Sequence, residues 1–379
     1  MKPAEKSGAA ADALTLLIAG GGTGGHVFPA LAVARAWLDR GGDGSAGTSA
    51  GGARQVVFVG TERGMEAKLV PQAGFPLETI RVAGLKGIGG MKLLRNLATL
   101  PAGMWDSEKI LHRHRFAAAF GVGGYASGPM MLLARLHGIP GVIFEPNVEP
   151  GFTNRVLGRM ATRVACGFAQ TAPRFGAKAV TTGIPVRREF FAAQPKEHAA
   201  PFTLLITGGS RGALPINRAV VDALDSLASR KNQLFIVHQT GIGDYNAVRV
   251  AYARREFNAE VLPFIGNMAE RFAQADLIVC RSGAITVAEV SAAGRAAIFI
   301  PFGAATDAHQ TRNAEVMREA GAAVLLPQTE LSGERLANEV FSLLDQPRRI
   351  TEMETRARAL AHPGAASELV DLLEEVARP

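Results

Sequence analysis

The residues TLLIAGGGTGGH, Thr15–His26, read as a buried strand, a turn of glycines and the start of a helix. The apolar run has the length of a strand, and apolar residues recur at helical spacing from Val27 onward. Almost the same letters return in TLLITGGSRGA, Thr203–Ala213. This repeated strand–loop–helix unit predicts two domains of the same kind.

Both halves of the chain alternate strand-like with helical stretches, which predicts the α/β class with two doubly wound, mostly parallel sheets. The expected strands are LTLLIAG, RQVVFVG, LETIRVAG, AAAFGVGG, PGVIFE and RVACGF in the first half, and FTLLITG, NQLFIVHQTG, AEVLPFIG, ADLIVC and AAIFIPF in the second. We expect an N-terminal Rossmann-like domain over residues 1–195, a C-terminal one over 196–350, and a helical segment over 351–379 that returns to the first domain. The small, polar tract Gly41–Ala53 is expected to be a flexible surface insertion.

Composition indicates a globular protein, because 47% of the 379 residues are apolar and 20% are charged. No apolar run approaches the roughly 18 residues of a membrane-spanning helix, and the first residues lack the pattern of a signal peptide. We therefore expect the protein in the cytosol. Its two cysteines, Cys166 and Cys280, are expected to be reduced structural thiols, and no Cys/His cluster has the spacing of a metal site.

The net charge of +7 is concentrated in one place. Between Arg81 and Arg115, here called the basic segment, seven Lys or Arg stand against two acids, with aliphatic residues between them. One interpretation is a solvated helix whose apolar side faces the core. The other is an interfacial patch that rests on an anionic membrane surface. Nucleic acid is the less favoured partner, because stacking aromatic residues are few in this segment and it contains no recognition motif.

The first glycine run suggests an anion site, since glycines permit close approach and the N-terminus of a helix attracts negative charge. It formally fits the dinucleotide pattern G-x-G-x-x-G, with Glu62 as a ribose-binding acid, but so many glycines fit almost any such pattern. A Walker lysine is missing. His26 stands at the mouth of this loop, where the helix dipole lowers the pKa of imidazole and favours the neutral form that a general base needs. The alternative for His26 is a structural hydrogen bond.

Four other residues stand at loops or helix starts, and each has an ordinary alternative. Tyr125 follows the glycines of GVGGYASGP, or is simply packed, and Arg187 lies near the domain boundary, or is a surface charge. Ser210 offers a hydroxyl at the start of a helix, as a phosphate contact or an N-cap. Glu289 is placed to bind a ribose diol, or is a solvated glutamate.

Taken together, five motifs in order between about residue 14 and residue 330 resemble glycosyltransferase family 28, and within it the MurG family. They are GGGTGGHVFPALAVA, GVGGYASGP, GGSRGA, CRSGAITVAEVSAAG and PFGAATDAHQTRNA. The resemblance implies the GT-B fold, two Rossmann-like domains that face each other across a cleft. It also implies an inverting transfer of N-acetylglucosamine from UDP-N-acetylglucosamine (UDP-GlcNAc) to lipid I, which yields lipid II at the cytoplasmic face of the inner membrane, without a cofactor or a metal.

The resemblance also assigns residues. His26 would be the catalytic base, and Tyr125 would lie beside the acceptor. The substrate-binding residues would be Thr23, Gly24, Gly25, Asn147, Arg187, Ser210, Ile265, Ala284, Ile285, Thr286, Val287, Ala288, Glu289 and Gln310. Among them, Asn147 would contact the donor sugar from the first domain, Arg187 and Ser210 the diphosphate, and the backbone of Ile265 the uracil. The implied partners are the two substrates, an anionic membrane surface and other cell-wall synthesis proteins.

Some positions depart from the family pattern. Phe144 and Pro146 stand where the family has polar residues, Ile184 replaces an asparagine, Arg211 a glutamine, and His309 a glutamine of some members. Two other kinds of function stay open. The same architecture serves other lipid glycosyltransferases and nucleotide-sugar epimerases, and a membrane-bound nucleotide-sugar sensor would bind without turnover.

Overall fold

The computed structural model describes residues 14–22, 24–41, 53–82, 99–303 and 308–377. These residues form two compact units. The first contains the described residues up to Glu145, then Pro150–Pro185 and those from Gly364 onward, and the second contains Pro146–Glu149 and Val186–Pro363. Most of the Gly41–Ala53 tract and residues 83–98 of the basic segment lie outside the described residues.

The first unit is a parallel sheet with helices between its strands. Its elements are β1 (Leu14–Gly20), α1 (Gly24–Asp39), β2 (Arg54–Gly60), α2 (Glu66–Gln72), β3 (Leu77–Thr79), α3 (Leu100–Arg113), β4 (Ala118–Gly123), α4 (Ser127–Leu136), β5 (Gly141–Glu145), α5 (Phe152–Met160), β6 (Arg163–Cys166) and β7 (Ala179–Thr181), with 3₁₀ turns at Ala169–Arg174 and Gly176–Lys178. The strand order is β3-β2-β1-β4-β5-β6-β7. The order reverses between β1 and β4, and ligands of open α/β sheets bind at the carboxyl ends of strands at such a switch point.

The second unit has the same architecture, a parallel sheet with helices between its strands. Its elements are β8 (Phe202–Thr207), α6 (Leu214–Leu227), β9 (Leu234–Gln239), α7 (Tyr245–Arg254), β10 (Ala259–Leu262), α8 (Met268–Gln274), β11 (Leu277–Cys280), α9 (Ala284–Ala293), β12 (Ala297–Phe299), α10 (His309–Glu319), β13 (Ala323–Leu325), α11 (Gly333–Leu344) and α12 (Pro347–Ala359), with 3₁₀ turns at Arg188–Ala192, Ala228–Gln233 and Gln328–Glu330. The order β10-β9-β8-β11-β12-β13 places its switch point between β8 and β11. Each glycine run therefore follows a strand that borders a switch point, β1 in the first unit and β8 in the second.

The predicted α/β class with two parallel sheets is confirmed, and the structure adds two edge strands that the sequence pattern does not predict. β7 and β13 have three residues each and lie at the ends of their sheets. The sequence predicts a strand throughout LETIRVAG, but only Leu77–Thr79 pairs with β2. Edge strands this short carry too few residues for a two-residue alternation to show.

The last helix, α13 (Ala365–Ala377), belongs to the first unit, where it packs on α1, β4 and β5. Its apolar face is buried, and its charged face pairs with arginines of the first unit. The pairs are Arg40–Asp371, Arg54–Glu374 and Arg163–Glu375. Both cysteines are free and buried, and burial raises the pKa of each thiol, to about 12 for Cys166.

Candidate active site

His26 lies in the first turn of α1, directly after the first glycine loop, Gly20–Gly25. Its Nδ1 atom is 3.1 Å from the carbonyl oxygen of Gly21. Because a carbonyl oxygen can only accept, Nδ1 carries the proton of the neutral ring and Nε2 is left as the basic nitrogen. The helix begins at Gly24, so the backbone of His26 is helical, and the hydrogen bond to Gly21 orients its imidazole.

The surroundings of His26 favour the neutral imidazole. Burial lowers the pKa of His26, against the hydrogen bond to Gly21 and the charges of Glu145 and Glu66, which raise it. The predicted direction of the pKa shift is confirmed, but its main cause is burial and not the helix dipole. On the side of Nε2, a Cβ atom added to Gly123 would stand 3.0 Å from that nitrogen, and the Gly123 φ angle of 91° also favours glycine. A half-buried imidazole with a fixed tautomer can serve as a general base.

The first glycine loop is hydrogen-bonded to a carboxylate of the same chain, that of Glu66. Glu66, the first residue of α2, is 2% exposed, and its Oε2 atom accepts a hydrogen bond of 2.7 Å from the Gly22 amide. Its Oε1 atom accepts from the amide and the hydroxyl of Thr61, at 3.0 and 2.8 Å. Glu62, the acid that a dinucleotide site would need, is exposed. The Gly22 amide is therefore occupied by Glu66, which weakens the prediction of an anion site in this loop.

The second glycine loop, Gly208–Gly212, instead lines an open cavity of about 310 Å³. Its other lining residues are Ala213, Leu214, Pro215, Arg281, Phe302 and Gln310. Arg281 is 8% exposed, donates from Nη1 to the carbonyls of Ile300 and Pro301 at 2.9 and 3.0 Å, and lies over the Phe302 ring at 5.4 Å. A cavity with a buried guanidinium beside the N-terminus of α6 suits an anionic group.

Glu289 and Arg187, two of the predicted ligand-binding residues, contact each other in the second unit. The Arg187 Nη2 and Glu289 Oε1 atoms are 3.7 Å apart, and the side chain of Glu289 is 16% exposed. Burial raises the pKa of Glu289 to about 7, although the positive charge of Arg187 opposes this. Near neutral pH, Glu289 therefore changes between an acceptor-only carboxylate and a carboxylic acid that can donate.

Ser210 and Ile265 follow β8 and β10, as the sequence implies. Ser210 is exposed in the second glycine loop, but α6 begins only at Leu214, so Ser210 is not the N-cap residue that we had considered. The Ile265 amide donates to the Oε1 atom of buried Gln239 at 2.7 Å. Its amide is thus already used within the protein, which leaves the carbonyl as the backbone group that Ile265 can offer.

Asn147 and Gln310 are connected through α10. Asn147 belongs by its contacts to the second unit, where its side-chain oxygen accepts a hydrogen bond of 3.1 Å from Asn313. The side-chain oxygen of Asn313 in turn accepts from the Val148 amide at 3.0 Å. The side-chain oxygen of Gln310 accepts a hydrogen bond from the Phe302 amide at 2.9 Å, which fixes the loop after β12. The backbone carbonyl of Gln310 accepts from the Ser282 hydroxyl at 2.8 Å.

The remaining predicted residues differ in what they can present. Ala284–Glu289 form the first turns of α9, but the side chains of Ala284 and Val287 are buried, so these two can offer backbone groups only. Tyr125 is 51% exposed after β4. Gly24 and Gly25 open α1, while Thr23 lies outside the described residues.

Among the departures from the family pattern, Phe144 is a core residue. It is 1% exposed in β5, and its ring centroid lies 6.3 Å from that of Phe120. Ile184 is buried as well, at 4% exposure.

Four residues of the site are not predicted from the sequence: Glu66, Arg281, Gln239 and Asn313. Each acts through partners that are distant along the chain, such as Gly22 for Glu66 and Ser282 for Asn313. Arg281 had the clearest signal, because it directly follows a buried strand, where ligand-binding side chains of parallel sheets concentrate.

Comparison with known proteins gives the same family over both units. The N-terminal domain of glycosyltransferase family 28 matches residues 16–166, and the family's C-terminal domain matches residues 203–369. The chain is 45% identical over 362 residues to the UDP-N-acetylglucosamine–N-acetylmuramyl-(pentapeptide) pyrophosphoryl-undecaprenol N-acetylglucosamine transferase of Myxococcus xanthus, covering 95% of this chain and 92% of that one. It is 44% identical to the transferase of the same name from Syntrophus aciditrophicus, over 94% and 97% of the two chains. The crystal structure of MurG from Acinetobacter baumannii superimposes with a TM-score of 0.77 at 35% identity, over 96% of this chain and 99% of that one.

Proposed function

The chain belongs to glycosyltransferase family 28, and on that premise we propose that it is a hexosyltransferase that moves N-acetylglucosamine from UDP-GlcNAc to the muramyl sugar of lipid I. The product is lipid II, an intermediate of peptidoglycan synthesis. The observation that carries the chemistry is the distance of 3.1 Å between the His26 Nδ1 atom and the Gly21 carbonyl oxygen, from which we infer that Nδ1 carries the proton. This arrangement leaves Nε2 as the nitrogen that takes up a proton.

The reaction needs a base for the acceptor and a site for the leaving group. His26 Nε2 takes the proton of the acceptor hydroxyl as its oxygen attacks the anomeric carbon, which inverts that centre and gives a β-1,4 bond. UDP leaves, and its growing charge is met by amide groups of the second glycine loop, the N-termini of α6 and α9, and Arg187. The buried guanidinium of Arg281 adds positive charge beside the same cavity.

The donor is held mainly by the second domain. Glu289 accepts hydrogen bonds from the ribose hydroxyls, and Ser210 contacts the diphosphate. Because the Ile265 amide is used by Gln239, the Ile265 carbonyl accepts from N3–H of uracil. Asn147 and Gln310 contact the sugar, and the backbone at the start of α9 completes the donor site.

The first domain takes the acceptor, with Tyr125 beside its diphosphate, and associates with the cytoplasmic face of the membrane through the basic segment. Among the described residues, no helix is both long and apolar enough to cross a bilayer. Within the described part of the basic segment, Trp105 of α3 is 61% exposed and has the Lys109 ammonium 5.4 Å from its ring. Such pairs of an exposed aromatic ring and a cation suit the interfacial layer of a membrane.

Turnover of the purified protein with UDP-GlcNAc tests the proposal. We expect release of UDP and formation of a disaccharide lipid with a lipid I analogue, and no transfer to diacylglycerol run in parallel. Transfer to diacylglycerol would identify another lipid glycosyltransferase, and loss of the donor without an acceptor would identify an epimerase. Binding of UDP-GlcNAc without any turnover would indicate a nucleotide-sugar sensor.

A further inference from the structure

Glu66 contacts the peptide group that also contacts His26. The amide of Gly22 and the carbonyl of Gly21 belong to one peptide plane. On one side the amide donates to Glu66 Oε2 at 2.7 Å, and on the other the carbonyl accepts from His26 Nδ1 at 3.1 Å. Because a peptide group is planar and rotates as a unit, a flip of this plane would break both hydrogen bonds at once.

We infer that Glu66 is a positioning residue of the reaction, which orients the peptide between Gly21 and Gly22 so that its carbonyl holds His26 with Nε2 as the basic nitrogen. The inference rests on the proposed role of His26 as the base. It assigns the first glycine loop to holding the imidazole and not to binding a phosphate.

The backbone of this loop needs such a partner, because glycines on both sides leave the peptide free to turn. Gly21 and Gly22 have φ angles of 152° and 94°, which other residues rarely adopt. The Gly21 amide adds one weaker hydrogen bond of 3.3 Å to the Gly123 carbonyl. The carboxylate supplies the short, charge-assisted bond that selects one orientation.

The space around Glu66 is built for a carboxylate. A Cβ atom on Gly21 or Gly64 would overlap its carboxyl atoms, and one on Gly60 would overlap its Cγ atom, so three glycines surround the side chain. All three hydrogen bonds that it accepts come from N–H or O–H donors of Thr61 and Gly22. Glutamine has about the size of glutamate but only one acceptor oxygen, so it cannot accept from both Gly22 and Thr61 in the same way. Glu66→Gln therefore removes hydrogen bonds without changing the volume of the side chain.

Glu66 also acts on His26 through its charge. The imidazole faces two carboxylates, Glu66 of α2 and Glu145 at the end of β5, and both raise its pKa. The amide of Asn154, which lies on the Gly123 side of the ring, is neutral. Loss of the Glu66 charge and loss of the Gly21 hydrogen bond would both lower the pKa of His26, so the two effects have the same sign.

A double-mutant cycle of Glu66→Gln with His26→Ala tests the inference on the full-length protein with UDP-GlcNAc and a lipid I analogue. We expect Glu66→Gln to lower kcat about 10- to 100-fold, with little change in the KM for UDP-GlcNAc, and to move the acid limb of the kcat–pH profile to lower pH. In the His26→Ala background the same change should have almost no effect, because residues that act as a unit are not additive. Glu62→Gln is the matched control, since Glu62 is exposed and four residues away in sequence.

Imidazole ¹⁵N spectra of His26 provide a measurement that does not depend on turnover. Glu66→Gln should convert His26 from one tautomer with a protonated Nδ1 to a mixture. Thr61→Val removes only the 2.8 Å hydroxyl bond to Glu66 and should give a smaller change in the same direction, which keeps the test open if Glu66→Gln unfolds.

Additive losses in the cycle, or an unchanged His26 tautomer in a folded Glu66→Gln protein, would overturn the inference, because Glu66 would then only stabilise the loop. If the wild-type protein does not transfer N-acetylglucosamine to lipid I, the proposed function fails instead, and the spectra still decide whether Glu66 orients His26.

Discussion

His26 and Glu289 are two ionisable side chains whose pKa values are moved by burial in opposite directions. Burial lowers the pKa of the imidazole and raises that of the carboxyl to about 7. In each case the neutral form is favoured, because a charge in a poorly hydrated site loses its solvation. Neutrality suits a base, whereas a carboxylate that binds hydroxyl groups works better when ionised.

Replacement of His26 by alanine should therefore act on the chemical step. We expect kcat to fall about 10²- to 10⁴-fold, the range of general base catalysis, while the affinity for UDP changes little. Steady-state kinetics with a lipid I analogue and competition binding of UDP measure the two effects. The wild-type kcat should fall at acid pH with an apparent pKa below the ordinary value of histidine, since the protonated ring cannot accept a proton. Unaltered turnover in His26→Ala would exclude the assignment.

For Glu289, donor binding should depend on pH near neutrality. Ionisation with a pKa of about 7 should lower the KM for UDP-GlcNAc by up to about tenfold as the pH rises from about 6 to about 8. Glu289→Gln should remove this dependence and raise the KM about 10- to 100-fold, the cost of losing hydrogen bonds to a charged group. Glu319→Gln, at an exposed site at the end of α10, is the control. A pH-dependent KM that persists in Glu289→Gln would point to another group.

At the scale of elements, the connector Val186–Pro201 is fixed to the second unit by buried charges. The imidazole of His198 lies 2.7 Å from Asp276 and 3.2 Å from Glu354, with all three side chains almost fully buried. Lys196 and Arg295 pair with the same two carboxylates. Burial opposes protonation of His198, but the two carboxylates outweigh it and raise its pKa to about 9.

This cluster predicts that the second unit loses stability in alkali. Since the pKa of His198 is higher in the folded chain than in the unfolded one, its contribution is complete below about pH 6.5 and is lost as the pH rises through about 9. His198→Gln should lower the free energy of unfolding at pH 7 by about 3–5 kcal/mol, because it breaks a buried ion cluster. Urea unfolding between about pH 6 and pH 10 measures both effects, with His362→Gln, at an exposed site, as the control. Equal pH dependence in the wild type and His198→Gln would contradict the prediction.

At the scale of the whole molecule, the excess of positive charge bears on where the protein acts. The net charge is +7, and Lys86, Lys92 and Arg95 stand among aliphatic residues in the basic segment. These three residues lie outside the described residues, so their role stays a prediction from sequence. The substrate proposed above is an anionic lipid, so a basic segment would increase the concentration of the enzyme at the membrane that holds this substrate.

Reversal of these three charges to glutamate should weaken binding to anionic vesicles about 100-fold or more, at about 1 kcal/mol for each basic residue. Activity on a water-soluble acceptor should be preserved, because the chemistry does not involve the patch. Vesicle sedimentation at low and high salt measures the binding. Reversal of Arg249, Arg318 and Arg348, exposed residues of the second unit, is the matched control for total charge. Unchanged vesicle binding would leave the segment as a solvated surface.

The α/β class, the two parallel sheets and the place of His26 after β1 could all be predicted from the chain, because alternation, helical spacing and glycine runs are local patterns. β7 and β13 were missed, since three-residue edge strands are stabilised by their neighbours and carry almost no pattern of their own. The recognition of the family came from five motifs in order, each of which is weak alone.

The two glycine loops have similar sequences, but only the tertiary structure determines which distant side chains lie beside each of them. Glu66 reaches Gly22 across 44 residues, whereas the second loop lines a cavity together with Arg281. A hydrogen bond between distant residues requires only a donor and an acceptor that meet, so it leaves no spacing in the sequence by which to find it. The periodicity of strands and helices is a property of neighbouring residues, so the sequence shows it directly. The groups that contact each glycine loop come from distant residues, so only the tertiary structure determines them.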